Sequence, residues 1–363
     1  MTKQSDRGFL ARVACPARRW LVMPSGAALA YRYRVYLLLA AIVAVMTAIA
    51  PNFLTSGNFG NILKAAGINL PAAMGFNIVM ISGQLDLSIG SAMTLGGMMA
   101  VGLEPRLAAL GLPPAMAWAG SFGAALLAGL ALGLANGLLV AKARINSFIV
   151  TLGTMIIVQN VVFIYCGGDT LPARSFALAD GFQQPLVWVI TPLILAQFAV
   201  AGLMAALMRH TPIGKGFYLM GGNPQTAWYS GLRVDRYTVG AFVLSGVLSA
   251  LGGAVVAMSE AVANPTLGDN ALMTIVAAVI IGGTSMRGGK GSLVDSAVAL
   301  VLLAALISGL NCRGEGYEVQ LMAGGLVLAL IILYDAYAQH RREKKRGQRQ
   351  DLLRELRGGT GGS

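Results

Sequence analysis

The sequence predicts an all-α polytopic membrane protein with about ten transmembrane helices, some short or broken, and both termini in the cytoplasm. Three observations carry this. Hydrophobic residues fill 56% of the 363 positions and charged residues only 12%, about half the charged share of ordinary soluble domains. A soluble globule cannot bury so much apolar surface, so lipid is the expected solvent, which excludes a secreted disulfide scaffold, a disordered tail protein and an ordinary cytosolic enzyme. Apolar stretches also recur near the length of about 20 residues that spans a bilayer, and basic residues cluster on alternate connections between them.

Residues 1–34 read as a basic cytoplasmic arm, with Lys3, Arg7, Arg12, Arg18, Arg19, Arg32 and Arg34. Arg18-Arg19 has the form of a twin-arginine signal, but the stretch behind it, Trp20 to Ala30, is short and broken by Pro24 and Gly26. Residues 35–338 form the transmembrane domain. Its spans are expected at 35–51, 61–82, 87–103, 115–141, 147–165, 186–208, 237–259, 271–283, 293–310 and 319–338. The third and eighth are short and flank glycine-rich breaks, as broken or re-entrant elements do. The largest inner loop is 209–236. A basic tail, 339–363, closes the chain, and its last residues, 358–363, have the composition of a flexible appended linker.

With the N-terminus inside and alternating spans, the inner side receives the arm, Lys142, Arg144, Arg209, Lys215, Arg233, Arg236, Arg287, Lys290 and the tail cations. The outer loops hold Arg106, Arg174 and Arg313, with Lys64 near the outer end of the second span, and they collect Glu104, Asp169, Asp180, Glu260, Asp269, Glu315 and Glu318. An odd number of spans puts an arginine-rich terminus outside. The net charge of +12 thus reads as membrane orientation, not nucleic-acid binding. Cys15, Cys166 and Cys312 form no metal pattern, and neither His210 nor His340 has a ligand partner at useful spacing. Cys166 and Cys312 fall on one membrane face, where pairing is an option. A faint repeat at an offset of 201 matches Gly90 with Gly291 and Ser91 with Ser292, while Asp86 faces Arg287; it reads as parallel.

Glycines at 129, 133 and 137 share one helical face and let a neighbouring backbone approach. Asn136 beside them is a packing amide or a substrate ligand. Pro71, mid-span, removes a helix hydrogen bond and predicts a kink. Near it, Asn69 and Asn77 either border a cavity or serve a kink healed by its neighbours. The break from Gly83 to Gly90 contains Asp86 and Ser88; Asp86, near the expected surface, suits a helix cap, a gate or a subunit contact. Asp295 suits the start of its helix, and Asp335 suits a pair with a tail cation. The run Gly283 to Gly291 fails the phosphate-loop spacing and reads as a tight turn. In the inner loop, Asn223-Pro224 signals a helix start, Gln225 to Ser230 a short helix, and Gly231 its stop. That helix, with Trp228 and Tyr229, docks on another protein or packs on its own chain. No catalytic set is present: no Ser-His-Asp arrangement, no paired carboxylates.

Several motifs in order resemble the membrane subunits of ribose-type ATP-binding-cassette sugar importers, the binding-protein-dependent inner-membrane components of carbohydrate uptake family 2. They are Ala50 to Thr55, Asn61 to Leu63, Gly83 to Gly90, Asn136 to Lys142, Phe148 to Met155, Gly221 to Gly231, Ile281 to Ser285 and Gly288 to Gly291. The resemblance implies a multi-pass permease of the bacterial inner membrane. It implies a pairing with a second copy or close paralogue, two cytoplasmic ATPases that carry ATP and Mg, and a periplasmic binding protein that delivers a monosaccharide or related polyol. No cofactor is then bound by this chain, and no enzyme activity is its own. Gly222, Asn223, Pro224, Gln225, Ala227, Trp228, Ser230 and Gly231 map onto the family's ATPase-coupling segment. Asn69, Pro71, Asn77, Asp86, Ser88 and Asn136 are the candidates for a translocation path or gate. The chain departs from the family at Trp228-Tyr229, where a charged residue is usual, and at Ala271-Leu272-Met273, where two acidic residues are usual. Rival readings are a permease for nucleosides or branched-chain amino acids, and an ATP-independent secondary transporter, which needs ionisable groups deep in the membrane.

Overall fold

The computed structural model describes residues 33–173, 181–330 and 333. Most of the basic arm, the tail with its residues 358–363, Cys15, Asp335, Arg174 and Asp180 lie outside the described residues.

The chain folds into helices α1 (Arg34–Ile49), α2 (Ser56–Ile81), α3 (Ile89–Gly102), α4 (Glu104–Ala109), α5 (Pro114–Ala141), α6 (Ser147–Cys166), α7 (Pro192–His210), α8 (Pro212–Gly222), α9 (Pro224–Tyr229), α10 (Val234–Glu260), α11 (Leu267–Ile281) and α12 (Leu293–Cys312), followed by α13 (Tyr317–Leu330). Six of these, α2, α5, α6, α7, α10 and α12, are long and apolar enough to cross a membrane; α1, α11 and α13 are apolar but shorter. This is a polytopic helical membrane protein. Large apolar side chains such as Ile149, Ile157, Ile164 and Leu203 are exposed, as lipid-facing residues are.

Two expected starts move furthest. The sixth span begins at Pro192, because Leu186 to Ile190 turn back on themselves (Leu186 N–H to Ile190 O, 2.9 Å). Thr191 then caps α7 through its hydroxyl, 3.3 Å from Ile194 N. The second span begins earlier, at Ser56, capped by Thr55.

Helix α10 is the centre, packed on α5, α3 and α2. Small residues permit this. A Cβ at Gly129 or Gly133 would overlap the carbonyl of Gly246 or Phe242, and one at Gly137 would sit 2.8 Å from the Cα of Val239. The face marked by these three glycines is thus the α5–α10 seam, where backbones touch and dispersion replaces side-chain filling. Pro71 lies inside α2, which continues through it. Helix α2 also packs on α12, and α3 on α11.

The ends of α2 and α11 share one backbone pattern. Gly83 and Gly283 have φ of +81° and +88°. Gln84 N–H bonds Val79 O, and Thr284 N–H bonds Val279 O, two positions at an offset of 200. The expected repeat is therefore displaced by one residue, with Val79, Ile81 and Gly83 matching Val279, Ile281 and Gly283. Gly90 and Gly291 are not equivalent: the first lies inside α3 and the second in a loop. Cys166 and Cys312 are free thiols, so the pairing option is not realised. At the opposite end of the bundle, strands β1 (Leu171–Pro172) and β2 (Val262–Ala263) pair antiparallel and join the exits of α6 and α10.

Candidate coupling segment and translocation path

The ends of α2, α5, α7 and α11 meet the starts of α3, α6, α10 and α12 at one end of the bundle, the end that carries Lys142, Arg209, Lys215, Arg233, Arg236, Arg287 and Lys290. The segment after α7 projects there. Thr211 is extended, and its hydroxyl accepts from Gly214 N–H at 3.1 Å. Helix α8 buries Phe217, Met220 and Gly221 and exposes Ile213 and Leu219. Asn223 is extended, its side-chain oxygen accepts from Thr226 N–H at 3.0 Å, and Pro224 opens α9. Gly231, with φ +83°, ends the turn.

Within α9, Ala227 is buried, while Trp228 and Tyr229 are 65% and 80% exposed, their rings edge to face at 5.1 Å. Gly222, Gln225 and Ser230 are exposed as well. The short helix therefore packs on its own chain through Ala227 and leaves the aromatic pair exposed. Beneath α9, the Tyr218 phenol donates to Gly291 O at 3.0 Å; burial raises its pKa, which keeps it a donor.

The path candidates divide into two groups. Asp86 is buried inside the protein, 2% exposed. Its loop is drawn in by α6, where the hydroxyls of Ser147 and Thr151 accept from Leu85 N–H and Leu87 N–H at 3.2 and 3.1 Å. The Asp86 carboxylate accepts from the Ser88 N–H (3.0 Å) and hydroxyl, and from the Ser245 hydroxyl of α10 (2.7 Å). Asn136 of α5 donates to the Ser88 oxygen at 2.9 Å. Asp86 thus closes a local turn onto Ser88 and holds α10, instead of capping α3 itself. Asn77 is spent likewise: it donates to Ser296 at 2.7 Å and accepts from Thr284 at 2.9 Å, joining α2 to α12 and to the loop after α11. Nothing in the sequence marks Ser245, Ser147 and Thr151 beyond a hydroxyl on an apolar helix.

Asn69 sits differently. It lines a cavity of about 200 Å³ between α2, α3, α10 and α11, with Met93, Val256, Ala271 and Thr274. A second cavity, about 150 Å³, is lined by Ser91, Gln159, Asn160 and Asp269 on the other side of the first turn of α11. Asn77, Asp86, Ser88 and Asn136 line neither. The family departure at Ala271 therefore falls on a cavity wall, while Met273 is exposed.

Residues 58–334 match the family model described as branched-chain amino acid transport system / permease component. The chain belongs to this permease family. The permease is 30% identical to the ribose import permease protein RbsC of Escherichia coli K12 over 82% of its own length and 91% of that protein. It is 30% identical to the D-allose transport system permease protein AlsC of the same organism over 83% and 91%. It is 28% identical to the L-arabinose ABC transporter permease protein AraH of Azospirillum brasilense over 82% and 86%. No solved structure matches the permease.

Proposed function

We propose that this permease crosses the bacterial inner membrane ten times with both termini cytoplasmic. It forms, with a second copy or close paralogue, the path of an ATP-binding-cassette importer for a monosaccharide or related polyol. Cytoplasmic ATPase subunits bind ATP and Mg, and a periplasmic protein delivers the solute. Support for a sugar comes from the ribose, allose and arabinose permeases it resembles; the family's own description keeps branched-chain amino acids as the second reading.

One observation carries the ATPase-driven mechanism. Helix α9 is capped, anchored by Ala227 alone, and presents Trp228 and Tyr229 at the basic end of the bundle. Closure of the ATPase pair on ATP moves α9. Gly221 and Gly222, just before it, pack on Ile81 at the end of α2 and on Gly289 of the loop after α11; that loop is bonded to Ile81 O and to Tyr218 of α8, and α2 and α11 flank the cavity that contains Asn69. A ligand shifts such an equilibrium only by differential affinity for its two states, and ATP on the partner supplies it. A secondary transporter needs an ionisable group free to exchange protons or ions; Asp86 is instead held by three donors.

Changing Asn223 and Pro224 together to alanine removes the cap and the preset first turn, which costs the helix about 1 kcal/mol. Association with the ATPase and sugar uptake into vesicles are both expected to drop several-fold. If both survive unchanged, α9 is not the coupling helix. Labelling of residues in 209–236 from the exterior alone would overturn the topology.

A further inference from the structure

Helix α9 does not stand alone at its end of the bundle. The loop 284–291, between α11 and α12, lies against its base. Gly288 and Gly289 have φ of +79° and +71°, a region that disfavours any side chain. A Cβ at Gly289 would stand 2.6 Å from Gly222 Cα, and one at Gly288 would stand 2.7 Å from Gly221 O. Gly289 N–H donates to Ile81 O at 2.8 Å, and Ser285 N–H closes the loop on Lys290 O at 2.9 Å. The Tyr218 phenol holds its far side at Gly291 O. Loop and coupling segment are therefore in backbone contact, directly before the residue that caps α9. Held this way, the loop turns Met286 outward at 62% exposure, with Arg287 and Lys290 also exposed. Among the described residues neither cation has a carboxylate within ion-pair distance.

We propose that loop 284–291 is a second docking element for the ATP-binding subunit, continuous with α9, and that this subunit meets it with an acidic rim beside the apolar cleft that receives Trp228 and Tyr229. The inference rests on the coupling role of α9 and extends it to a loop outside the family's ATPase-coupling segment. Membrane orientation accounts for cations on this side. It does not account for an exposed methionine set between them and the coupling segment, nor for two positive-φ glycines pressed onto Gly221 and Gly222. Apolar anchors flanked by complementary charge are the usual composition of a docking surface.

The test uses the full-length permease co-expressed with the ATP-binding subunit of its own transport system. The variants are R287E/K290E and, in parallel, W228A/Y229A. ATP-binding subunit retained on the solubilised permease is measured from low to high salt, and again after reconstitution with and without phosphatidylglycerol. Because all four side chains are exposed, thermal melting of the variants should match the parent. The charge reversal is expected to lower retention about tenfold, since like charges face each other across the rim, and to weaken the salt dependence. Unchanged retention overturns the proposal; if the variant then loses only its response to phosphatidylglycerol, the loop is a lipid contact. If W228A/Y229A leaves retention intact, the coupling role of α9 falls instead, a result separable from failure of the loop alone.

Discussion

Gly133→Leu is expected to abolish the folded permease, while Gly123→Leu on the same helix is tolerated. Both glycines lie in α5. At Gly133 an added Cβ would overlap Phe242 O and stand 2.9 Å from Val243 Cα, so the obstacle is the backbone of α10, not the end of a flexible side chain. At Gly123 nothing lies within 4 Å. In lipid no hydrophobic force drives helices together, because the acyl chains are as apolar as leucine. Association then depends on close van der Waals approach, which falls off steeply with separation. Forcing α5 off α10 breaks contacts along the whole seam, including those at Gly129 and Gly137. A loss of about 3 kcal/mol or more is expected, read as a collapse of the melting temperature or of the monodisperse yield in detergent. Gly123→Leu should stay within about 0.5 kcal/mol of the parent. Since glycine to leucine raises helix propensity at both sites, equal losses at the two would show that contact along the α5–α10 seam does not govern the outcome.

That seam was legible from sequence because glycines repeating every four residues encode a helix face without reference to the partner. The long helices were legible for the same local reason: each has an apolar run that no soluble context would carry. Where tertiary contacts decide, local pattern does not set the structure. The stretch Leu186 to Ile190 is apolar enough for a span, yet it turns back, and the helix waits for the cap at Thr191 and the proline after it. The second span is expected from Asn61, yet Thr55 caps a helix that starts at Ser56, and Asn58 is buried with its amide on Phe53 O. The coupling helix announced its start through Asn223-Pro224 and its stop through Gly231. Its tie to loop 284–291 could not be seen, since Tyr218 and Gly291 are far apart in the chain and the contact is to a carbonyl. Among the path candidates, a list of polar residues could not separate Asn69, on a cavity, from Asn77, whose amide is spent between helices.

The sequence marks Asp86 as the polar centre of its break, but its burial depends on Ser147, Thr151 and Ser245, which come from other helices. That burial sets the second large expected effect. In Asp86→Ala, the Ser88 N–H, the Ser88 hydroxyl and the Ser245 hydroxyl all lose their acceptor in a buried site. An orphaned buried donor costs about 1–3 kcal/mol, so a total loss of about 3 kcal/mol or more is expected even after partial relaxation. Asp86→Asn should be far milder. Its amide oxygen still accepts from Ser88, and its NH2 faces Ser245, whose hydroxyl can turn and accept; a loss of about 1 kcal/mol or less follows. Asn136→Leu removes only the donor to Ser88 and should fall between the two. Melting temperatures of the three variants in detergent give the order. If alanine and asparagine at position 86 destabilise equally, the negative charge itself is what the site requires, and a hydrogen-bonded lock between the α2–α3 break and α10 is the wrong description. If the order holds, and Asp86→Asn also keeps sugar uptake, Asp86 acts by joining helices, and an ion-coupled transport step through this carboxylate is excluded.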